Sequence, residues 1–425
     1  MGARRRNSRG RTAGFLAALG PGLVTGASDD DPSGIATYAQ AGAIAGMATL
    51  WTALFTFPMM WAVQFMCAKI GLVTGGGIAR VLRKHYSRGL LYAVVIPLIA
   101  ANTINAGVDI GATAAAIQLL VPAPTTVLVV LITAGILAFQ VFGSYRLLAN
   151  IFKWLTVTLL AYIFSAFVAH PDWRAVLRHT VQPSIRFDRQ FLSTLVAILG
   201  TTITPYLFFW QANQEVEEEL SMGRRRLSQR RGASGAELKY AGWDIATGMF
   251  ASNLVMFFII LATASTLFVT GQHTVRSAAD AAEALRPIAG SAATTFWAIG
   301  LIGAGVLCVP ILTGSAAYAL AEALNWKRGL DERPGRAKLF YAVITVSTVL
   351  GAGLSFAGWN PMRALFWTAV INGFLAPPLL VVVMLISNNR RVLGNRVNGR
   401  LANAIGWSTT ALMFAAAALF ALTLR

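Results

Sequence analysis

Charge is what this 425-residue chain has least of: only 12% of its residues are Asp, Glu, Lys or Arg, and the 17 acids are about half as many as the 35 basic residues. With 56% hydrophobic residues and a mean hydropathy of +0.62, that scarcity excludes a water-soluble globular domain and points to a polytopic membrane protein. Cysteine is nearly missing. Cys67 and Cys308 lie far apart within apolar stretches, which excludes a disulfide framework or a thiolate metal cluster and leaves two small core residues. The four histidines (His85, His170, His179, His273) all fall in or near loops. No Gly-Lys-Ser/Thr follows Gly75-Gly76-Gly77, so that stretch is no phosphate loop. Nor do the apolar stretches hold a nucleophile–base pair or a His-rich cluster, and an enzyme is not expected. A net charge of +18 would suit nucleic acid, but the basic residues sit in short loops between apolar spans, as topology determinants do.

A membrane-crossing helix needs roughly 20 apolar residues. Eleven such segments are predicted, at about 13–42, 47–70, 89–119, 125–142, 151–170, 191–216, 240–269, 293–324, 338–357, 361–387 and 402–424. Arg4, Arg5, Arg6, Arg9 and Arg11 ahead of the first segment imitate a secretory signal. Acids and a proline occupy the place of a cleavage region, however, so the segment is read as a retained span. Most basic residues gather at alternate turns: the N-terminal tail, Lys69 to Arg88, Arg146 with Lys153, Arg224 to Lys239, Lys327 to Lys338, and Arg390 to Arg400. Positive-inside then predicts a cytoplasmic N-terminus and an extracytoplasmic C-terminus, in a plasma or inner membrane. The expected organisation is a basic cytoplasmic tail (1–12), a first transmembrane repeat of spans 1–5 (13–170), an extracytoplasmic loop (171–190), a second repeat of spans 6–10 (191–387), and a cytoplasmic loop with span 11 (388–425).

The first segment contains Asp29, Asp30 and Asp31, followed by Pro32-Ser33-Gly34. A carboxylate at the bilayer centre costs at least ~2.5 kcal/mol, so acids there mark ion or proton paths. As one straight helix the segment would run about 45 Å, against a hydrocarbon core of ~30 Å. A break at Asp31–Gly34 removes the excess, and proline frees carbonyl oxygens beside the acids. The sixth segment repeats the device at Gly200-Thr201-Thr202-Ile203-Thr204-Pro205-Tyr206. Two broken spans five apart predict an inverted repeat with half-helices meeting near the midplane, where transporters bind substrate. The expected fold is an all-α integral membrane protein, a 5+5 inverted repeat broken in spans 1 and 6, with an eleventh transmembrane helix. The plain alternative is that Pro32 and Pro205 merely kink two packed helices.

Asp31, directly before Pro32, is the expected metal ligand. Asp30 is an auxiliary that lines the entrance or holds a metal-bound water, and Asp29 is read as a solvated vestibule acid. Thr204 offers a hydroxyl and a carbonyl, and Gln211, seven residues on and so on the same helix face, offers an amide; Gly34 and Asn372 complete the expected metal set. All are hard donors, and no Met, Cys or His occupies either break, which favours Mg²⁺, Mn²⁺ or Ca²⁺ over late transition metals. Asp109 in the third span, with Asn102 and Asn105 before it, forms a second polar stripe that Tyr206 joins. It reads either as a proton relay or ion vestibule, or as a helix–helix hydrogen-bond network; Asn372, ahead of Pro377-Pro378, faces the same choice. Asp244 and Glu322, near helix ends, are expected to pair with arginines. The run Glu215-Val216-Glu217-Glu218-Glu219 before Arg224-Arg225-Arg226 reads as a solvated, charge-paired helix end and secondarily as a cation exit.

These residues resemble the NRAMP family of divalent-metal transporters. Asp31-Pro32-Ser33-Gly34-Ile35-Ala36-Thr37-Tyr38-Ala39-Gln40-Ala41-Gly42 is similar to the family's D-P-G-N-F-A-T-D-I-Q-A-G stretch. Gly71 to Arg80, through His85-Tyr86, resembles its G-x-x-T-G-x-x-L-A-x-x-x-R-x-x-Y segment, and Thr204-Pro205-Tyr206 stands where the family carries M-P-H. The resemblance implies a LeuT-like fold and carries the metal-binding aspartate onto Asp31. The departures are equally specific: Gly34 replaces an asparagine, Thr204 the methionine, and Tyr206 and Gln211 the two histidines. Asn105 and Asp109 do not reproduce the family's acidic pair on span 3. This combination resembles the NRAMP-related magnesium transporter branch and puts proton coupling in doubt.

Small residues and missing sulfur leave room for a partly hydrated Mg²⁺, with Mn²⁺ also carried and Ca²⁺ carried poorly. The metal is cargo rather than cofactor. The lipid bilayer is the other expected partner, nucleic acid is not one, and a monomer satisfies the pattern. The competing reading keeps the fold but carries amino-acid-like organic solutes with protons or sodium; a fixed anion at Asp31 opposes it, because it would repel a substrate carboxylate. A channel fits the broken, inverted pattern less well than alternating access.

Overall fold

The computed structural model describes residues 20–142, 163–164, 166–286, 290–330 and 332–424. All regular structure among them is helical. Span 1 consists of α1 (Pro21–Asp29) and α2 (Pro32–Ala45), span 2 is α3 (Trp51–Thr74), and a short helix α4 (Ile78–His85) follows. Spans 3 and 4 are α5 (Arg88–Gln118) and α6 (Thr125–Phe142); the loop 171–190 carries α7 (Trp173–Val181). Span 6 again comes as two pieces, α8 (Arg189–Thr202) and α9 (Pro205–Ser221). Spans 7 to 11 are α10 (Gly235–Thr263), α11 (Ala293–Leu324), α12 (Lys338–Leu354), α13 (Pro361–Ser387) and α14 (Arg400–Leu422). The tail 1–12 and, of the fifth predicted span (151–170), residues 151–162 and 165 lie outside the described residues.

Among the described residues eight helices, with the two pieces of span 6 taken together, are long and apolar enough to cross a membrane, and the chain is a multi-pass membrane protein. The helix starts follow local rules. Proline opens α1, α2, α9 and α13, a position where its missing N–H would have had no helical partner anyway. Both predicted breaks therefore stand as helix restarts rather than as kinks at Pro32 and Pro205.

Helices of the first five predicted spans pack on helices of the next five. The span-1 helices α1 and α2 lie against α10 of span 7, and α9 of span 6 lies against α3 of span 2; α5 and α11, spans 3 and 8, face each other. Glycines allow the closest crossings, as in membrane bundles generally: Gly26 lies on the backbone of Gly248, and Gly200 on that of Ala369 and Gly373, with no space for a Cβ at either.

Two acids do more than pair with arginine. Gly20, the N-cap of α1, has no side chain, and Asp244 of α10 caps that helix from outside by accepting from Gly22 N at 2.6 Å. The expected arginine pairing of Asp244 is replaced by this contact, because α1 presents unpaired N–H groups that no local residue satisfies. Glu322, fully buried on α11, accepts from Gly77 N at 2.7 Å and Arg80 N at 3.1 Å. It also keeps the expected ion pair, with Arg328 at 2.8 Å, and so fastens the start of α4 to span 8. Lys69, counted above among the loop cations, lies inside α3 at 5% exposure and donates to Asn398.

Candidate metal centre

Asp31 sits between the half-helices of span 1 as the N-cap of α2, with φ −69° and ψ 168°. Its Oδ1 accepts from Gly34 N at 2.6 Å and Ser33 Oγ at 2.7 Å, and its Oδ2 accepts from Asn105 Nδ2 of α5 at 3.1 Å. The carboxylate is 2% exposed. All three donors are neutral, and among the described residues no ion pair reaches Asp31. The carboxylate is thus oriented but not neutralised.

Buried oxygens with no partner stand on the elements that meet here: Asn105 Oδ1 and both carboxylate oxygens of Asp109 on α5, and Thr204 Oγ1 at the span-6 break, while the Thr201 hydroxyl reaches the Asp31 carboxylate itself. A buried acceptor left unsatisfied costs roughly 1–3 kcal/mol. Several such oxygens beside one unneutralised carboxylate form a donor set that suits a hard cation. Thr204 is the N-cap of α9 and makes no capping bond, so its hydroxyl is uncommitted.

The two breaks are tied together. Tyr206 OH donates to Ser28 O at 2.6 Å, and Thr201 Oγ1 would lie 3.2 Å from a Cβ at position 34. Cys308 Sγ also approaches Ser28 O, at 3.4 Å. This carbonyl at the end of α1, which the sequence reading left free for an ion, is therefore taken by span 6 and span 8. Tyr206 serves as a bridge rather than as part of a separate path. Cys308 is buried, as expected of a core residue, yet it stands at the break, a position that nothing in its own segment signals.

The remaining candidates divide. Gly34 supplies a donor to Asp31 and has no side chain to reach an ion; a Cβ there would meet Asp29 O at 3.2 Å and Asp31 Oδ1 at 3.3 Å. Asp29 is fully buried, not a solvated vestibule acid: Ser252 of α10 donates to its Oδ2 at 2.8 Å and approaches Asp30 Oδ1 at 3.3 Å. Packing of α1 on α10 removes both acids from water, and Ser252, 223 positions away from Asp29, was not legible as their partner. Gln211 turns along its own helix, donating to Glu215 Oε1 at 2.8 Å, one turn farther from the break. Asn372 is 4% exposed on α13, beside Gly373 where that helix meets Gly200, level with the span-6 break.

The polar stripe on α5 also splits. Asn102 donates to Leu312 O at 3.1 Å, a helix–helix bond, whereas Asn105 belongs to the Asp31 site and Asp109 is buried without any partner. The acidic run is not a solvated helix end. Helix α9 continues to Ser221 and buries Glu215 and Glu219 to 3% and 2% exposure; Glu219 pairs with Arg224 at 3.0 Å.

The family model described as Natural resistance-associated macrophage protein-like, Nramp, matches residues 22–423. The chain belongs to the Nramp family. Two Nramp relatives have the same extent: it is 27% identical over 406 residues to the divalent metal cation transporter MntH of Klebsiella pneumoniae subsp. pneumoniae, covering 94% of this chain and 92% of that one. It is 25% identical over 420 residues to MntH of Granulibacter bethesdensis, covering 96% and 88%. In structure it resembles the Eremococcus coleocola manganese transporter with a TM-score of 0.71 at 18% identity, covering 99% and 89%. It also resembles Mhp1, a nucleobase-cation-symport-1 family transporter, with a TM-score of 0.58 at 15% identity, covering 96% and 91%. Likeness at such identities concerns fold, and it bears out the all-α, LeuT-like architecture of this Nramp chain.

Proposed function

We propose that this Nramp chain is a secondary transporter that moves divalent metal cations across the membrane by alternating access, binding each ion at Asp31 between broken spans 1 and 6. The observation that carries the reading is the Asp31 carboxylate itself: buried, held only by neutral donors, with partnerless oxygens on Asn105 beside it and on Thr204 at the other break. The curated relatives' names, divalent metal cation transporter, agree with it. The preferred cargo is Mg²⁺, with Mn²⁺ also accepted, because the uncommitted donors are hard oxygens, the one nearby sulfur, Cys308 Sγ, is turned to Ser28 O, and Mg²⁺ is commonly held through one or two carboxylates with its remaining waters. On this reading the chain is of the magnesium-carrying branch, with weak or no proton coupling, and the basic loops support a cytoplasmic N-terminus and an extracytoplasmic C-terminus. Thr204, at the span-6 break, and Asn372, on span 10 level with that break, are read as further ligands. An organic-solute carrier of the same fold is disfavoured, since the uncompensated Asp31 would repel a substrate carboxylate.

Purified protein in liposomes, assayed for Mg²⁺ and Mn²⁺ influx with and without a pH gradient, tests this. Uptake of both ions that needs Asp31 and changes little with the gradient is expected. Undiminished uptake by Asp31→Ala would sink the assigned site, and lumenal acidification at a fixed ratio to metal entry would overturn weak coupling.

A further inference from the structure

The second half of span 6 carries more acid than a transport path through Asp31 requires. Glu215, Glu218 and Glu219 of α9, with Glu237 of α10, line a cavity of about 280 Å³ between α3, α9 and α10, at the end of the bundle that carries the basic loops. Arg224 pairs with Glu219 and with Glu237. Among the described residues no basic side chain pairs with Glu215 or Glu218, and Asp244 adds a further negative charge beside them.

Two atoms show that this is not a self-contained network. Gln211 is fully buried; its Nε2 is spent on Glu215, and its Oε1 has no partner. Glu219 is 2% exposed; its Oε1 holds Arg224, and its Oε2, on the cavity wall, has no partner. Both are acceptors. Water can donate to either and a proton can neutralise one carboxyl, whereas a cation would satisfy these acceptors and at the same time offset the charge of Glu215 and Glu218, which no basic side chain among the described residues meets.

We propose that Glu215, Glu218, Glu219 and Gln211 form a second cation site, which holds a hydrated divalent ion between the midplane and the basic face. Residues 204, 211, 215 and 219 lie on one face of a continuous helix, and the rise from Thr204 to Glu215 is roughly 16 Å, so the two sites are separate. Among the described residues no three acidic side chains converge closely enough to hold a bare ion, which suits an ion that keeps its water shell and is gripped through one or two carboxylates. An ion leaving Asp31 along α9 would meet this site before reaching the basic face. The ion's identity rests on the function proposed above; the existence of the site does not.

Equilibrium Mn²⁺ binding to the purified full-length protein in detergent, read by electron paramagnetic resonance, separates the two. Wild type is expected to bind one ion more than either Asp31→Asn or the double variant Glu215→Gln/Glu218→Gln. Binding by the double variant equal to wild type overturns the second site, as does a wild-type stoichiometry of one that vanishes with Asp31→Asn. Loss of an ion in the double variant but not in Asp31→Asn leaves this site standing and sinks the midplane reading instead. If the double variant does not elute as folded protein, Glu218→Gln alone decides: a weakening of one Mn²⁺ Kd by about tenfold supports the site, and unchanged binding of both ions overturns it.

Discussion

The breaks of spans 1 and 6 use the same backbone device for opposite chemical ends. Each closes one half-helix, passes through two non-helical residues, and restarts with proline in the first turn: Asp30–Asp31 before Pro32, and Ile203–Thr204 before Pro205. At span 1 the residue ahead of proline is a carboxylate that takes three donors. At span 6 it is a threonine whose hydroxyl takes none. Charge and coordinating vacancy are thus divided between the halves: one break brings the negative charge, already oriented, and the other brings neutral oxygen. On the proposed function, a divalent ion between the breaks would be only half neutralised by Asp31 and would keep water, the physical basis for the preference proposed above for a hard, strongly hydrated cation.

The division can be broken first at its charged half. Asp31→Asn keeps the shape and the Gly34 contact but removes the charge, and Mg²⁺ and Mn²⁺ uptake into liposomes should fall at least about a hundredfold, near 2.7 kcal/mol; near-wild-type uptake would mean the ion binds elsewhere. Next comes crowding. Gly34→Ala places a Cβ within 3.2 Å of Asp29 O and Thr201 Oγ1, and overpacking of this sort costs roughly 1–3 kcal/mol, measurable as a lower thermal midpoint in detergent. An unchanged midpoint would show that the gap between the breaks yields easily. Thr204→Met alters the neutral half by adding a polarisable sulfur, so competition uptake should shift about tenfold (near 1.4 kcal/mol) toward Mn²⁺ over Mg²⁺. No shift would remove Thr204 from the ion's surroundings. The smallest effect is expected from Tyr206→Phe, which deletes the bond to Ser28 O at 2.6 Å and should cost about 1 kcal/mol of stability while leaving ion preference as it was.

Some of this was legible from one dimension. Proline restricts its own neighbourhood sterically, so Pro32 and Pro205 announced both restarts, and Asp31 stood out because charge is costly in an apolar segment. The remaining assignments failed where the deciding partner lies far along the chain. Asp29 looked like a vestibule acid until Ser252 was found on it, and Asp244 looked like an arginine partner until it capped Gly22, 222 positions away. Gln211 shares a helix face with Thr204, as its spacing indicated, but a face does not say which way an amide turns, and Glu215 one turn on holds it. The acidic run looked solvated because four glutamates within five residues usually are; the packing of α9 against α3 and its neighbours buried two of them.

By itself the sequence determined the membrane, the two helix breaks and the hard-oxygen character of the residues around them. Those follow from hydrophobicity, proline sterics and side-chain chemistry, which act over a few residues. Only the tertiary structure decided which acid is left unneutralised, which carbonyl is spent on Tyr206, and which glutamates leave water. Each of those outcomes depends on a hydrogen-bond or packing partner supplied from the opposite repeat, and local propensity carries no information about a partner that the fold brings in from another span.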